Sequence, residues 1–179
     1  MTLDALKHLI RAASALADDR HFLVLGSASL LVSFPELGNA DSVLAATYDA
    51  DLCPEPFDEL TGIMLDEALG ENRAYFRRHG YHADILKDSI LEILPSGWRE
   101  RLVAVPDCPA AFALESNDLA AVKLLVGRAK DISLVRFLNE TGRISASTVR
   151  ERIDALPIPV ELLPKLLANF RSTMEHRDS

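Results

Sequence analysis

His21-Phe22-Leu23-Val24-Leu25-Gly26-Ser27 and, further on, Tyr48-Asp49-Ala50-Asp51-Leu52 are the stretches whose reading decides the fold. The first is a short apolar run that stops at Gly26-Ser27, after which Ala28-Ser29-Leu30-Leu31-Val32-Ser33-Phe34 resumes and Pro35 closes it. This pattern predicts a buried strand, a Gly-Ser turn and a short helix. The second belongs to the run from Val43 to Leu52, stopped by Pro54 and Pro56, and predicts a strand with acids at its end. Residues i and i+2 of a strand point to the same face, so Asp49 and Asp51 are expected to project side by side.

Upstream, apolar residues at helical spacing from Leu3 to Ala17 predict an amphipathic opening helix. Downstream, Asp58 is an N-cap candidate for a helix to Leu69, and Asn72 to Arg78 predicts a shorter one that Gly80 ends. Tyr81-His82-Ala83-Asp84-Ile85-Leu86 reads as a strand, and Ile90 to Leu94 and Arg101 to Val105 as further short strands on either side of Pro95-Ser96-Gly97. A sheet of four or five strands follows. From Ser116 onward the pattern is helical: a helix to Val126, an interruption at Gly127, and a second helix from Asp131 to Asn139. Thr148-x-x-Glu151 then fits a capping box for a helix to Leu156, and a last amphipathic helix runs from Val160 to Met174. The expected architecture is α+β: a small mixed sheet with flanking helices over residues 1–115, then a helical part over 116–179, packed as one compact unit.

Composition bounds the function. A chain of 179 residues with 49% hydrophobic and 26% charged positions is an ordinary globular sequence, able to bury roughly 70% of its unfolded surface. Its net charge of -8 disfavours bulk DNA binding, and 6% aromatics disfavour a surface that stacks single-stranded bases. Cys53 and Cys108 make no disulfide framework, and Met1-Thr2-Leu3-Asp4 lacks the basic start of a secretory signal, so a reducing cytoplasm is the expectation. No apolar run approaches the roughly 20 residues that cross a bilayer.

Two carboxylates on one strand face repel unless a cation lies between them, and hard oxygen donors of this kind suit Mg²⁺ or Mn²⁺. A Gly-Ser turn supplies the complementary half: glycine lets the backbone approach a phosphate, and backbone N–H groups with the Ser27 hydroxyl donate to it. Metal plus polyphosphate is the implied pairing. In its order, strand, Gly26-Ser27, helix, strand, Asp49-x-Asp51, the sequence resembles the polymerase β-like nucleotidyltransferase superfamily. The resemblance implies a third carboxylate on a later strand, completing the metal site or acting as base for the acceptor hydroxyl, and Asp84 stands in that position. The run Asp118-Leu119-x-x-x-Lys123-Leu124-x-x-x-Arg128-x-Lys130-Asp131, with Pro95-Ser96-Gly97-Trp98-Arg99-Glu100-Arg101-Leu102, is similar to bacterial nucleotidyltransferase-like families related to AbiE-type toxins. That likeness implies that Lys123 faces nucleotide phosphates, that Arg128 and Lys130 hold phosphate or acceptor, and that Asp131 is the acid of the helical motif. Spacing by itself also admits a solvated face of two helices for these residues. The chain departs from the family's better characterised toxins in being short, acidic and without a basic tail.

Taken together these readings predict a metal-dependent nucleotidyltransferase. It would move an NMP group from a nucleoside triphosphate to a hydroxyl of an RNA such as tRNA, a protein or a small molecule, as the toxin of a toxin–antitoxin or phage-defence pair. The alternative is an inactive scaffold of the same fold that works through a protein partner, for which Val160 to Leu167 offers an apolar segment. Among the remaining candidates, His79 and His82 have a metal-like H-x-x-H spacing but read as a surface pair. Arg73, Arg77, Arg78 and His79 read as a charged helix face, Cys53 as buried, and Trp98 as a loop anchor. No G-x-G-x-x-G follows the first strand and no G-x-x-x-x-G-K-[ST] occurs, which removes dinucleotide and P-loop sites.

Overall fold

The computed structural model describes residues 1–174. Thr2 opens α1 (Leu3–Leu16) by accepting a hydrogen bond from the Ala5 N–H, and Leu6, Leu9, Ile10 and Ala13 form its buried face. β1 (His21–Val24) follows, with Phe22, Leu23 and Val24 all buried. After Gly26 comes a single 3₁₀ turn, Ser27–Ser29, and the one-turn helix α2 (Leu30–Ser33), which Pro35 ends as expected.

β2 spans Asp49–Glu55, so the two acids stand at its start, a correction to the expected strand that ended on them. The apolar stretch Val43 to Ala46 forms turns, with Leu44 buried and Val43 exposed. Pro54 does not stop the strand either, and the ladder explains why. In the parallel pairing of β2 with β3 (His82–Ile85), the Leu86 N–H donates to the Leu52 carbonyl. The next rung would require a donor at residue 54, which proline lacks. Pro54 therefore ends the pairing with β3 while β2 continues against β1, where Phe22 lies opposite Pro54.

Between them, α3 (Glu59–Leu69) is capped by Asp58, whose carboxylate accepts from the Thr61 N–H at 2.9 Å and from Arg20 at 2.7 Å. α4 (Ala74–His79) ends at Gly80, whose φ of 78° is the left-handed conformation glycine adopts without strain. β4 (Val103–Ala104) and β5 (Ala111–Ala113) complete a five-stranded mixed sheet of order β3-β2-β1-β5-β4. β1 runs antiparallel to β2 and parallel to β5, and β4 runs antiparallel to β5. The segment Ile90 to Leu94, expected as a strand, lies largely in 3₁₀ turns over Asp88–Ile93. β5, three residues beside Pro109, carries too short a pattern to read as a strand, yet it pairs with β1.

The helical part comprises α5 (Ser116–Val126), α6 (Ala129–Glu140), α7 (Ala146–Asp154) and α8 (Leu163–Met174). α5 is its hub, packing against the other three. Gly127 turns the chain between α5 and α6 at φ 69°, and a β-carbon there would sit 2.6 Å from Asn169 Nδ2, which donates to the Leu124 carbonyl. The α7 cap is Ser145, accepting from the Thr148 N–H, so the capping box expected at Thr148 begins three residues too late. The chain thus has the expected α+β architecture. It divides into two compact units, Met1–Ile90 with Arg101–Glu115, and Leu91–Glu100 with the segment from Ser116.

Candidate active site: a carboxylate face on the sheet

β2 and β3 are parallel neighbours with Asp49 opposite His82 and Asp51 opposite Asp84. Cross-strand partners share a face, and so do residues two apart along a strand. Asp49, Asp51, His82 and Asp84 therefore form a two-by-two array on one face, while Ala50 and Ala83 between them are fully buried on the other. Asp49 and Asp51 are half-buried and Asp84 is exposed.

The Gly26 turn is fitted to this array. A β-carbon at Gly26 would lie 1.6 Å from Asp51 Oδ2 and 2.6 Å from its carboxyl carbon, so only glycine leaves Asp51 where it is. The Leu25 N–H, donating to the Asp51 carbonyl at 3.0 Å, holds the two segments in register. Ser27 follows directly and is half-buried. The helix behind it has only four residues, so any anion contact here rests on local N–H groups and the Ser27 hydroxyl, not on a helix dipole.

The electrostatics of the face show like charge held together. Burial pushes the Asp84 carboxyl above the ordinary carboxylate range; His82 draws it back, and the charges of Asp49 and Glu71 push it up again. His82 is 9% exposed, with Nε2 3.3 Å from Asp84 Oδ1, and the Phe76 ring meets it edge-on at 5.1 Å between centroids. Its burial corrects the expected surface H-x-x-H pair, and His79 belongs to a separate ring cluster with His8, Tyr75 and Tyr81. Sequence reasoning missed this histidine. The available signal was the matched spacing of Asp49-Ala50-Asp51 and His82-Ala83-Asp84, which parallel pairing lays side by side.

The donor set suits a hard divalent cation: three carboxylates on one face, with the charge of Asp49 raising the proton affinity of Asp84. As they stand, no group of three or more His, Cys, Asp or Glu side chains among the described residues is disposed to hold a metal ion. Bringing the carboxylates onto one ion therefore requires side-chain movement.

The helical motif has a different character. Lys123 and Asp131 are both buried, and Lys123 Nζ donates to Asp131 Oδ1 at 3.0 Å, joining α5 to α6. Arg128, itself exposed, donates from Nε to the other oxygen at 2.6 Å. Burial pushes the Asp131 carboxyl up, but the bonds from Arg128 and Lys123 outweigh it and hold the group below the ordinary range. Asp118, wholly buried, lies with Oδ1 3.2 Å from Arg152 Nε of α7. A solvated face is thus corrected for Lys123 and Asp131, whereas Lys130 is exposed.

Other candidates fall where the packing puts them. Cys53 and Trp98 are buried, and Arg73 pairs with Asp66. A cavity of about 290 Å³ lined by Phe57, Gly62, Ile63 and Ile85 uses the opposite strand face from the acids, since Ile85 is one residue past Asp84. Among the described residues, no helix is long and apolar enough to cross a membrane. No family model matches the chain, and neither a curated protein nor a solved structure matches it at a significant level.

Proposed function

We propose that the chain is a metal-dependent nucleotidyltransferase whose active site is the face formed by Asp49, Asp51 and Asp84. The observation that supports this most strongly is the register that pairs Asp51 with Asp84, with Gly26 pressed so close to Asp51 that no other residue fits. In this reading Asp49 and Asp51 hold Mg²⁺ or Mn²⁺, Asp84 completes the site, and Gly26 and Ser27 receive the triphosphate of the donor. Bound Mg²⁺ would supply Lewis acidity to the α-phosphate and neutralise charge on the leaving pyrophosphate. Asp84, whose raised proton affinity suits a base, takes the proton from the acceptor hydroxyl. The hydroxyl oxygen then bonds the α-phosphorus as the bond to the bridging oxygen breaks and pyrophosphate departs. Positioning and electrostatics carry most of such a reaction. In the helical motif Lys130 is exposed, whereas Lys123 and Arg128 both donate to Asp131 and would have to leave it to contact phosphate or acceptor. By family analogy the acceptor is an RNA such as tRNA, a protein or a small molecule, and the setting a bacterial toxin–antitoxin or phage-defence pair in the cytoplasm.

Thermal unfolding with ATP, GTP, CTP or UTP, with and without Mg²⁺, tests this. A ligand at 100 times its dissociation constant adds about 2.7 kcal/mol. We expect a Mg²⁺-dependent rise with at least one nucleotide, absent in Asp49→Asn/Asp51→Asn and in Gly26→Ala. The absence of any response favours the second reading, a scaffold acting through a protein partner. That reading draws support from the exposure of Val160 at 71% and Leu162 at 44% in the apolar segment before α8.

A further inference from the structure

His82 is the one member of the two-by-two array that is not an acid, and its surroundings are unusual for a core histidine. Its Nδ1 is buried with no hydrogen-bond partner, so the ring carries a desolvation cost that an apolar side chain of similar size under Phe76 would avoid. What the imidazole alone supplies is the Nε2 contact to Asp84 Oδ1, at 3.3 Å. The ring stands directly opposite Asp49 and one strand step from Asp84, between two carboxylates that repel each other. Its backbone is fixed as well, since the His82 N–H donates to the Tyr48 carbonyl at 2.9 Å, the residue before Asp49.

We propose that His82 is a positioning residue of the carboxylate face: its Nε2–H donates to Asp84 Oδ1 and holds that carboxylate while the Asp49 and Asp51 side chains move to share a divalent cation with it. The inference rests on the nucleotidyltransferase reading of the same face and assigns a part that the carboxylates alone do not explain. Histidine is suited to it because a ring clamped between Phe76 and the strand has one rotamer to lose, and because the N–H it points at the carboxylate leaves the other oxygen available to the metal. Groups that orient metal ligands in this way typically contribute 10–100-fold in metal affinity.

The test is the affinity for Mn²⁺ alone, read from loss of the free-ion electron paramagnetic resonance signal, in the natural protein, His82→Leu and His82→Gln. Leucine fills the slot without a donor; glutamine returns an N–H near the position of Nε2. The expected result is at least about tenfold weaker binding for His82→Leu, with most of the loss recovered in His82→Gln. Equal affinity in His82→Leu and the natural protein overturns the role of His82 and leaves the carboxylate site standing. Absence of Mn²⁺ binding by the natural protein overturns both. Should His82→Leu fail to fold, the ¹⁵N spectrum of the natural protein's histidine rings decides: a proton on Nε2 of His82 is expected, and a proton on Nδ1 alone contradicts the proposal.

Discussion

In the helical unit Asp118 and Asp131 are almost wholly buried, and each lies against cations from the helices around it: Arg152 for the first, Lys123 and Arg128 for the second. On the sheet, Asp51 lies opposite Asp84 across the strands with Asp49 on the same face, the His82 imidazole stands beside Asp84, and the charge of the Met1 ammonium acts on Asp49. The two regions solve opposite problems. A buried charge kept for the fold must be neutralised inside the chain, because removing one partner leaves the other uncompensated in low dielectric. Like charges directly opposite on a sheet destabilise it, and in the proposed function a bound cation restores the balance. The contrast separates residues whose charge is neutralised within the fold from residues that the proposed function assigns to a ligand.

The comparison breaks first at Lys123. Lys123→Met leaves Asp131, 1% exposed, paired with the exposed Arg128, and is expected to cost about 3 kcal/mol in urea unfolding. A loss below about 1 kcal/mol would mean that the pair is not structural. The sheet acids should behave with the opposite sign. Asp84→Asn removes a charge that Asp49 and Glu71 oppose, and is expected to stabilise the metal-free protein by up to about 1 kcal/mol at neutral pH.

The pH dependence sharpens the same contrast. Because the folded Asp84 carboxyl binds its proton more tightly than the ordinary value of 3.8, its unfavourable contribution disappears as pH falls through its raised pKa. The advantage of Asp84→Asn over the natural protein should therefore shrink on acidification. Asp131 runs the other way: its lowered pKa gives stability that is present above 3.8 and lost as pH falls below it through the folded value, a loss that Asp131→Asn should not show. Denaturant titrations at a series of pH values read both. The smallest effect is expected at the exposed Arg150–Asp154 pair of α7, where Asp154→Asn should cost no more than about 0.5 kcal/mol, a control showing that burial, not pairing as such, makes the Lys123 effect large.

Much of this was legible in the sequence because strand geometry is periodic. Asp49 and Asp51 share a face wherever a strand contains them, and Gly26-Ser27 after an apolar run marks the turn that meets them. The bounds of β2 were not legible, since Val43 to Ala46 is apolar in sequence but forms turns, and Pro54 reads as a breaker unless the side its missing N–H would face is known. His82 was misread because its burial comes from Phe76 and from pairing with β2, neither visible in a one-dimensional spacing. The Lys123–Asp131 pair was hidden for a related reason: the residues lie on two helices across the Gly127 break, so the helical spacing rule for one helix does not join them.

The claim that the sheet acids serve a ligand and not the fold is tested most directly by the unfolding temperature of Asp49→Asn/Asp51→Asn against the natural protein, first without metal and then with Mg²⁺ and nucleotide. The account predicts a crossing: the variant is the more stable protein without ligand, and the natural protein overtakes it when ligand is added, because only it responds. A variant less stable than the natural protein without metal, or one that gains as much from Mg²⁺ and nucleotide, would contradict it.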